Sequence, residues 1–325
     1  MQSIAGNEDL LEQLRQQSRE GRLSHGYVIE GPEGSGKRTL ARWLAAMRLC
    51  QGETRPCGQC RHCRKVEAGI HPDIQRIAPL EGKASISIEQ IKALRTDIYI
   101  APNEADAKVY IIEDAHKMTL AAQNSLLKSL EEPPPFVMLV LCVPARDLLL
   151  PVILSRTVQL SLAPVGEETV RRQLEQLRPQ AQEKERNLAA QLSGGLVGRG
   201  LELLDHPQQL EYMDHCVGFL EALAADDRQK LAQTVQWLEK SRDSVGKILE
   251  ILRLTVHDAM LVKAGMPGEL VHLRSRLEAV CGQMTLPVLS ALYDQAALCE
   301  SRLQANGNYN LTVNGMVRNC LEEMH

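Results

Sequence analysis

The sequence is poor in aromatic side chains, has no strong excess of either charge, and contains no long hydrophobic run. Two Phe, two Trp and six Tyr amount to 3% of 325 residues, so stacking unpaired bases on an aromatic platform is not its expected task. The formal net charge of −4 excludes a protein that grips nucleic acid through a basic surface of its own. The longest apolar run, Phe136 to Val143, is far short of the roughly 20 residues that span a bilayer. No basic stretch followed by an apolar core opens the chain, so a cytoplasmic protein without membrane association is expected. Internal repeats and low-complexity segments are also absent, which removes solenoids and disordered arrays.

What is present is ordinary for a folded chain: 44% hydrophobic and 24% charged residues. The length is about twice that of one domain, so two or three are expected. With few aromatics, the cores must be built from Leu, Ile, Val, Ala and Met, which leans helical. Nine cysteines in a reducing compartment are not expected to pair as disulfides, and their spacing points to metal or to core.

The spacing of Leu10, Leu11 and Leu14 predicts an amphipathic helix over 7–19. Tyr27 to Glu30 then leads into Gly31-Pro-Glu-Gly34-Ser-Gly36-Lys37, and helical spacing resumes through Leu40, Leu44 and Met47. That order is strand, glycine loop, helix. A strand is expected at 74–77 and a helix over 88–98 capped by Ser87. Val109 to Ile112 reads as a strand buried on both faces, with Glu113-Asp114 at its carboxyl end. A helix over 120–131, stopped by Pro133-Pro134-Pro135, and a buried strand over 137–142 complete a βαβα alternation, hence an α/β domain with a mainly parallel sheet. After Pro164 the texture becomes helical: 167–177, 181–192, 196–204 and onward to Cys320, with breaks at Gly194-Gly195 and His206-Pro207.

The glycine loop is nearly a P-loop, whose amides face phosphates while Lys37 neutralises their charge. The hydroxyl that should follow the lysine as a magnesium ligand is replaced by Arg38. Thr39 lies about 100° further around the helix and cannot take its place. A tight glycine turn without phosphate remains the alternative. Glu113-Asp114 resembles the acidic half of such a site, in the reverse of the usual order. The shorter Asp114 stands about one methylene back from an attacking water, so turnover by this chain is expected to be slow or absent. Capping of the next helix is the competing reading of the two acids.

Cys57, Cys60 and Cys63 form C-x-x-C-x-x-C, with Cys50 seven residues upstream. Four thiolates close a tetrahedral shell around structural zinc. An iron–sulfur cluster is the rival, without the closely following Cys-Pro of bacterial ferredoxins. His62 is expected to be solvated rather than a ligand. Cys142, Cys216, Cys281, Cys299 and Cys320 are expected to be small core residues. Ser155-Arg156, taken alone, reads as a surface ion pair.

Together, GPEGSGK, the four cysteines, HPD at 71–73, VYIIEDAH at 109–116, NSLLKSLEEPP at 124–134 and Ser155-Arg156 resemble the AAA+ subunits of the bacterial replicative clamp loader, part of the DNA polymerase III holoenzyme. The resemblance is dense over residues 1–205. It implies an AAA+ P-loop domain over 1–163 carrying a zinc module at 50–63. A small helical lid over 164–207 and an all-α C-terminal domain over 208–325 that joins a subunit ring would follow. Two subunit types share this layout: the ATP-hydrolysing gamma/tau motor and the delta' stator. The motor type implies a hydroxyl after Lys37, Asp-Glu at 113–114, an arginine in the lid and, for tau, a longer C-terminal extension. This sequence has Arg38, Glu113-Asp114, and Gly198 with Arg199 one place out of register. The departures favour delta'.

In that family the Ser-Arg pair belongs to an arginine finger that reaches a neighbouring subunit's ATP. The resemblance thus implies an in-trans catalytic role for Arg156, with Ser155 beside it, although Thr157 stands where the family usually has cysteine. Gly31, Gly34, Gly36, Lys37, Arg38, Thr39, Glu113 and Asp114 are the candidate nucleotide residues, with ATP and Mg2+ left open as ligands. Cys50, Cys57, Cys60 and Cys63 are the candidate zinc ligands. The implied partners are the gamma/tau motors, the delta subunit, the sliding clamp and, through the assembly, primed DNA. The competing functions are a true ATPase motor, a scaffold with no catalytic contribution, and a zinc-dependent nucleic-acid binder.

Overall fold

Apolar β-branched runs bury best when both faces of a strand are covered, and the first unit of the fold is built on that rule. In the computed structural model, residue 4 and residues 6–266, 274–305 and 307–324 are described. The segment 267–273, within the stretch expected to be helical, lies outside the described residues. The chain divides into two compact units, residues 1–169 and 170–325.

In the first unit β1 (Gly26–Glu30), β2 (Ile74–Ile77), β3 (Lys108–Ile112), β4 (Val137–Val143) and β5 (Val158–Ser161) form one parallel sheet in the order β2-β3-β4-β1-β5. Every residue of β3 and β4 is buried. Strand alternation sends Tyr27, Ile29, Val109, Ile111, Met138 and Val140 to one core, beneath α1 (Glu8–Arg19), α2 (Lys37–Leu49) and α3 (Arg61–Glu67). The intervening residues, Val28, Tyr110, Ile112, Leu139 and Leu141, enter a second core with α4 (Ile88–Asp97) and α5 (Leu120–Glu131). The buried stripe of α2, Leu40, Leu44 and Met47, follows the spacing that predicts it.

Two expected features differ. β5 was not expected; its pattern, with only Leu160 buried, is that of a four-residue edge strand. His62 is not solvated: it is fully buried, and its Nδ1 lies 2.8 Å from Nε2 of His71. The reason is α3, which turns the last cysteine turn into a helix and packs one face against α2. The Asp73 amide donates to Nδ1 of His71, and Arg61 Nε donates to Nε2 of His62. Burial holds the His71 pKa below the ordinary imidazole value. Asp73, fully buried, accepts the backbone amides of Asn103, Glu104 and Ala105 and the side-chain amide of Asn103. The His-Pro-Asp turn therefore ties the cysteine module to the loop entering β3.

The second unit is helical among the described residues. α7 (Glu167–Leu177), α8 (Glu183–Leu192) and α9 (Val197–Asp205) are followed by α10 (Pro207–Ala224), α11 (Arg228–Lys240), α12 (Val245–Lys263), α13 (Arg274–Gln283), α14 (Leu286–Gln304) and α15 (Tyr309–Glu322). α12 packs against α10, α13 and α14, and α8 and α9 pack on α10. The five scattered cysteines are all buried. No described helix is long and apolar enough to cross a membrane.

Burial alone would raise the pKa of Asp73, but its backbone amide donors hold it below the ordinary carboxylate value. A depressed folded-state pKa gives stability that is present above the unfolded value and lost as pH falls through the folded one. Asp73→Asn is therefore expected to cost roughly 1.5–3 kcal/mol at pH 7, with the difference from wild type shrinking below about pH 4. Urea unfolding followed by Trp43 fluorescence in a Trp237→Phe background measures it.

Candidate functional site

The glycine loop leaves β1 at Glu30 and enters α2 at Lys37. Gly31 is required by close approach, since a Cβ there would meet Ser35 Oγ at 2.7 Å and the Leu162 carbonyl oxygen at 2.8 Å. Gly36 adopts φ 95° at the helix N-cap, a conformation that glycine alone takes without strain. The turn is that of a phosphate cradle, but its lysine faces inward. Lys37 Nζ donates to the carbonyls of Gly31 at 2.6 Å and Pro32 at 2.8 Å. Burial lowers its pKa from the ordinary lysine value.

β3 delivers Glu113 and Asp114 to the same sheet edge, and both are engaged by cations of the chain. Arg38 Nε lies 3.0 Å from Glu113 Oε2 and its Nη2 3.5 Å from Asp114 Oδ2. Arg76, on β2, closes on the other oxygen of Glu113, with Nη2 at 2.6 Å and Nε at 2.7 Å. The Glu113 side chain is only 7% exposed, so a buried carboxylate sits between two guanidinium groups. Asp114, at φ 51°, is also 3.4 Å from Lys117 Nζ. It makes no side-chain cap to the turn that follows; α5 is capped by Thr119 instead.

Between β1 and β3 lies β4, whose end brings Cys142 and Val143, both buried, to the position between loop and acids. Burial pushes the Cys142 thiol up to about 12, so it is neutral and offers no anionic ligand. Magnesium needs an octahedron of oxygens from carboxylate, hydroxyl, phosphate and water. Arg38 supplies a guanidinium where a hydroxyl is wanted, and the acids are already neutralised. The residues present do not fit Mg2+.

The four cysteines do converge. Their sulfur atoms all lie within 4.8 Å of one another, with Cys57–Cys63 at 4.0 Å and Cys50–Cys60 at 3.9 Å. A tetrahedron of zinc–sulfur bonds of about 2.3 Å has an edge of about 3.8 Å. Backbone amides of Gly52 and Cys57 donate to Cys50 Sγ, that of Cys60 to Cys57 Sγ, and that of Cys63 to Cys60 Sγ. Burial opposes ionisation of Cys60, yet the amide donors bring its pKa down to about 6. Thiolate donors in this geometry fit zinc.

Ser155 and Arg156 occupy the turn between α6 (Pro151–Leu154) and β5. Arg156 Nη2 is 2.7 Å from Glu131 Oε1, and Nη1 donates to the Val152 carbonyl and to Ser155 Oγ, each at 3.1 Å. The turn lies at the amino ends of β1 and β5. Tyr27 is level with Val158, and a Cβ on Gly26 would lie 3.5 Å from the Arg156 carbonyl oxygen. The glycine loop leaves the opposite end of β1. Five residues of strand, at about 3.3 Å each, put roughly 16 Å between them. Arg199, in the second unit, lines a cavity of about 550 Å³ with Lys247, Arg253, His257 and Tyr293.

Thus the loop, Lys37, Arg38 and the acid pair come together, the four cysteines form a second centre, and Ser155-Arg156 stands apart at the far end of the sheet. The contribution of Arg76 was missed; the only signal was a charged residue in the short β2 run Ile74-Gln75-Arg76-Ile77.

This arrangement, a β2-β3-β4-β1-β5 sheet with a glycine loop after β1 and acids after β3, is that of an AAA+ domain. The chain matches the family described as DNA polymerase III, delta subunit, over residues 6–166. It is 31% identical to DNA polymerase III subunit delta' of Bacillus subtilis over 261 residues, 77% of this chain and 76% of that one. Identity to the Pseudomonas aeruginosa subunit delta' is 39% over 42% of each chain. Identity to the Escherichia coli subunit tau is 35%, over 54% of this chain and 27% of that protein. A Bacillus subtilis DNA clamp loader delta protein shares the fold, with TM-score 0.51 at 10% identity, covering 96% of this chain and 99% of that one. The chain belongs to the DNA polymerase III delta' family.

Arg38→Ser removes the guanidinium from Glu113 and Asp114 and restores a hydroxyl beside Lys37. It is expected to strengthen fluorescent ATP binding about tenfold or more, only when Mg2+ is present, and the native chain is expected to show no Mg2+ enhancement. Equal affinities with and without Mg2+ in the variant would show that Arg38 is not what excludes the metal.

Proposed function

We propose that this chain is the stator of a replicative clamp loader: it assembles with gamma/tau-type motors and a delta subunit and supplies Arg156 to a neighbouring motor's ATP. In this way it helps the assembly open a sliding clamp and place it on primed DNA. The observation that carries the reading is the position of Arg156, roughly 16 Å of parallel strand away from its own glycine loop. An arginine at that end of the sheet has no phosphate of its own to serve. The exposed apolar side chains near it, Val152 and Val158, suit a protein contact around the guanidinium.

The motor reading requires a metal ion between Lys37 and the acid pair, where the Arg38 guanidinium already engages both acids. The nucleic-acid binder reading has no support in the net charge of −4. In our reading residues 1–163 are the AAA+ domain, 164–207 the lid and 208–325 the ring-forming domain, in a cytoplasmic complex. Cys50, Cys57, Cys60 and Cys63 hold one structural zinc, with no open position for catalysis.

The decisive experiment is ATP turnover by the reconstituted loader with clamp and primed DNA, comparing native chain and Arg156→Ala. At the fired site, turnover is expected to fall by about 10³-fold or more with assembly intact; unchanged turnover would reduce this chain to a scaffold. Metal analysis of the purified chain is expected to give one zinc per molecule. Chelation should lower the thermal midpoint of the first unit, and a Cys60→Ser/Cys63→Ser variant should lose both the metal and the response to chelator.

A further inference from the structure

Arg156 does not project freely from its turn. Both Nη atoms are engaged, Nη2 by Glu131 at 2.7 Å and Nη1 by the Val152 carbonyl and Ser155 Oγ at 3.1 Å. A guanidinium is planar, so acceptors on two of its nitrogens fix both its plane and its direction. Nε has no acceptor among the described residues, and Nη2 keeps a second hydrogen, so one edge of the fork remains for an outside oxygen.

Glu131 is an unusual resident of its position. It is the last residue of α5, where the helix carbonyls make a carboxylate unfavourable. The run Pro133-Pro134-Pro135 ends the helix immediately afterwards and holds the acid at that end. His25 Nε2, 3.1 Å from the Leu130 carbonyl oxygen, and Leu130 packed beside Gly26 fix the same helix end against β1. A carboxylate placed there answers a cation, and the cation is Arg156.

We propose that Glu131 is the positioning residue for Arg156, orienting the guanidinium so that its free edge meets the γ-phosphate bound by the neighbouring subunit. The inference rests on the reading of Arg156 as an in-trans arginine. Glu131 itself touches no phosphate; it acts through the angle at which Arg156 is presented, and small misorientations cost rate steeply in phosphoryl transfer.

The test uses the full loader reconstituted with clamp and primed DNA, with Glu131→Gln, Glu131→Ala, Arg156→Ala and the double variant Glu131→Gln/Arg156→Ala. Glu131→Gln keeps size and an acceptor oxygen but removes the charge. It is expected to lower kcat roughly tenfold or more with KM for ATP unchanged, Glu131→Ala to lower it further, and neither to reach Arg156→Ala. A merely structural residue would alter assembly or thermal unfolding and leave the kcat-to-KM split alone. In the Arg156→Ala background, Glu131→Gln should add nothing. Unchanged kcat in both Glu131 variants, alongside a collapse in Arg156→Ala, overturns the positioning role and leaves the in-trans arginine standing. A rise in kcat, or an additive loss in the double variant, also overturns it. Unchanged turnover in Arg156→Ala overturns the reading beneath it.

Discussion

A carboxylate held between two guanidinium groups decides what this subunit can do. Glu113 follows β3, a strand buried at every residue, and removing it from water demands a cation. In a working P-loop site that cation arrives with the nucleotide as a metal ion. Here Arg38 and Arg76 provide it, from the first turn of α2 and from β2. Lys37 completes the closure by donating to the carbonyls of its own loop. The site keeps the turn of a phosphate cradle, with its charged groups engaged in internal ion pairs and hydrogen bonds.

The polarity of the parallel sheet sets the second constraint. All five strands point the same way, so loops that follow strands and turns that precede them lie on opposite edges. The glycine loop and the acids follow β1 and β3; Ser155-Arg156 precedes β5. A parallel sheet thereby separates the glycine loop from Ser155-Arg156 by one strand length, roughly 16 Å. In the proposed reading, Arg156 therefore meets a glycine loop only on a neighbouring subunit.

The parts legible in the sequence are those with one dominant cause. Val109 to Ile112 and Val137 to Val143 are apolar on every residue and mark buried strands; GPEGSGK marks its turn; four cysteines at metal spacing mark their cluster. What escaped depends on two weak causes acting together. β5 offers only Val158 and Leu160 in alternation, and its edge position gives it one buried side chain. α3 is spaced for sulfur ligands rather than for an apolar stripe, so the burial of His62 follows from the packing of the cysteine turn and from His71 nine residues on. Arg76 and Glu131 sit 37 and 25 residues from their partners Glu113 and Arg156, and no local pattern links them.

The measurement that bears most directly on this account is the site of labelling by an ATP analogue with a photoreactive group on its γ-phosphate, applied to the loader assembled with clamp and primed DNA. The account predicts that the labelled peptide from this chain contains Ser155 and Arg156, delivered from the neighbour's nucleotide. Label on the Gly31–Thr39 peptide, with none near Arg156, would mean that this chain holds ATP in its own loop and would contradict the account.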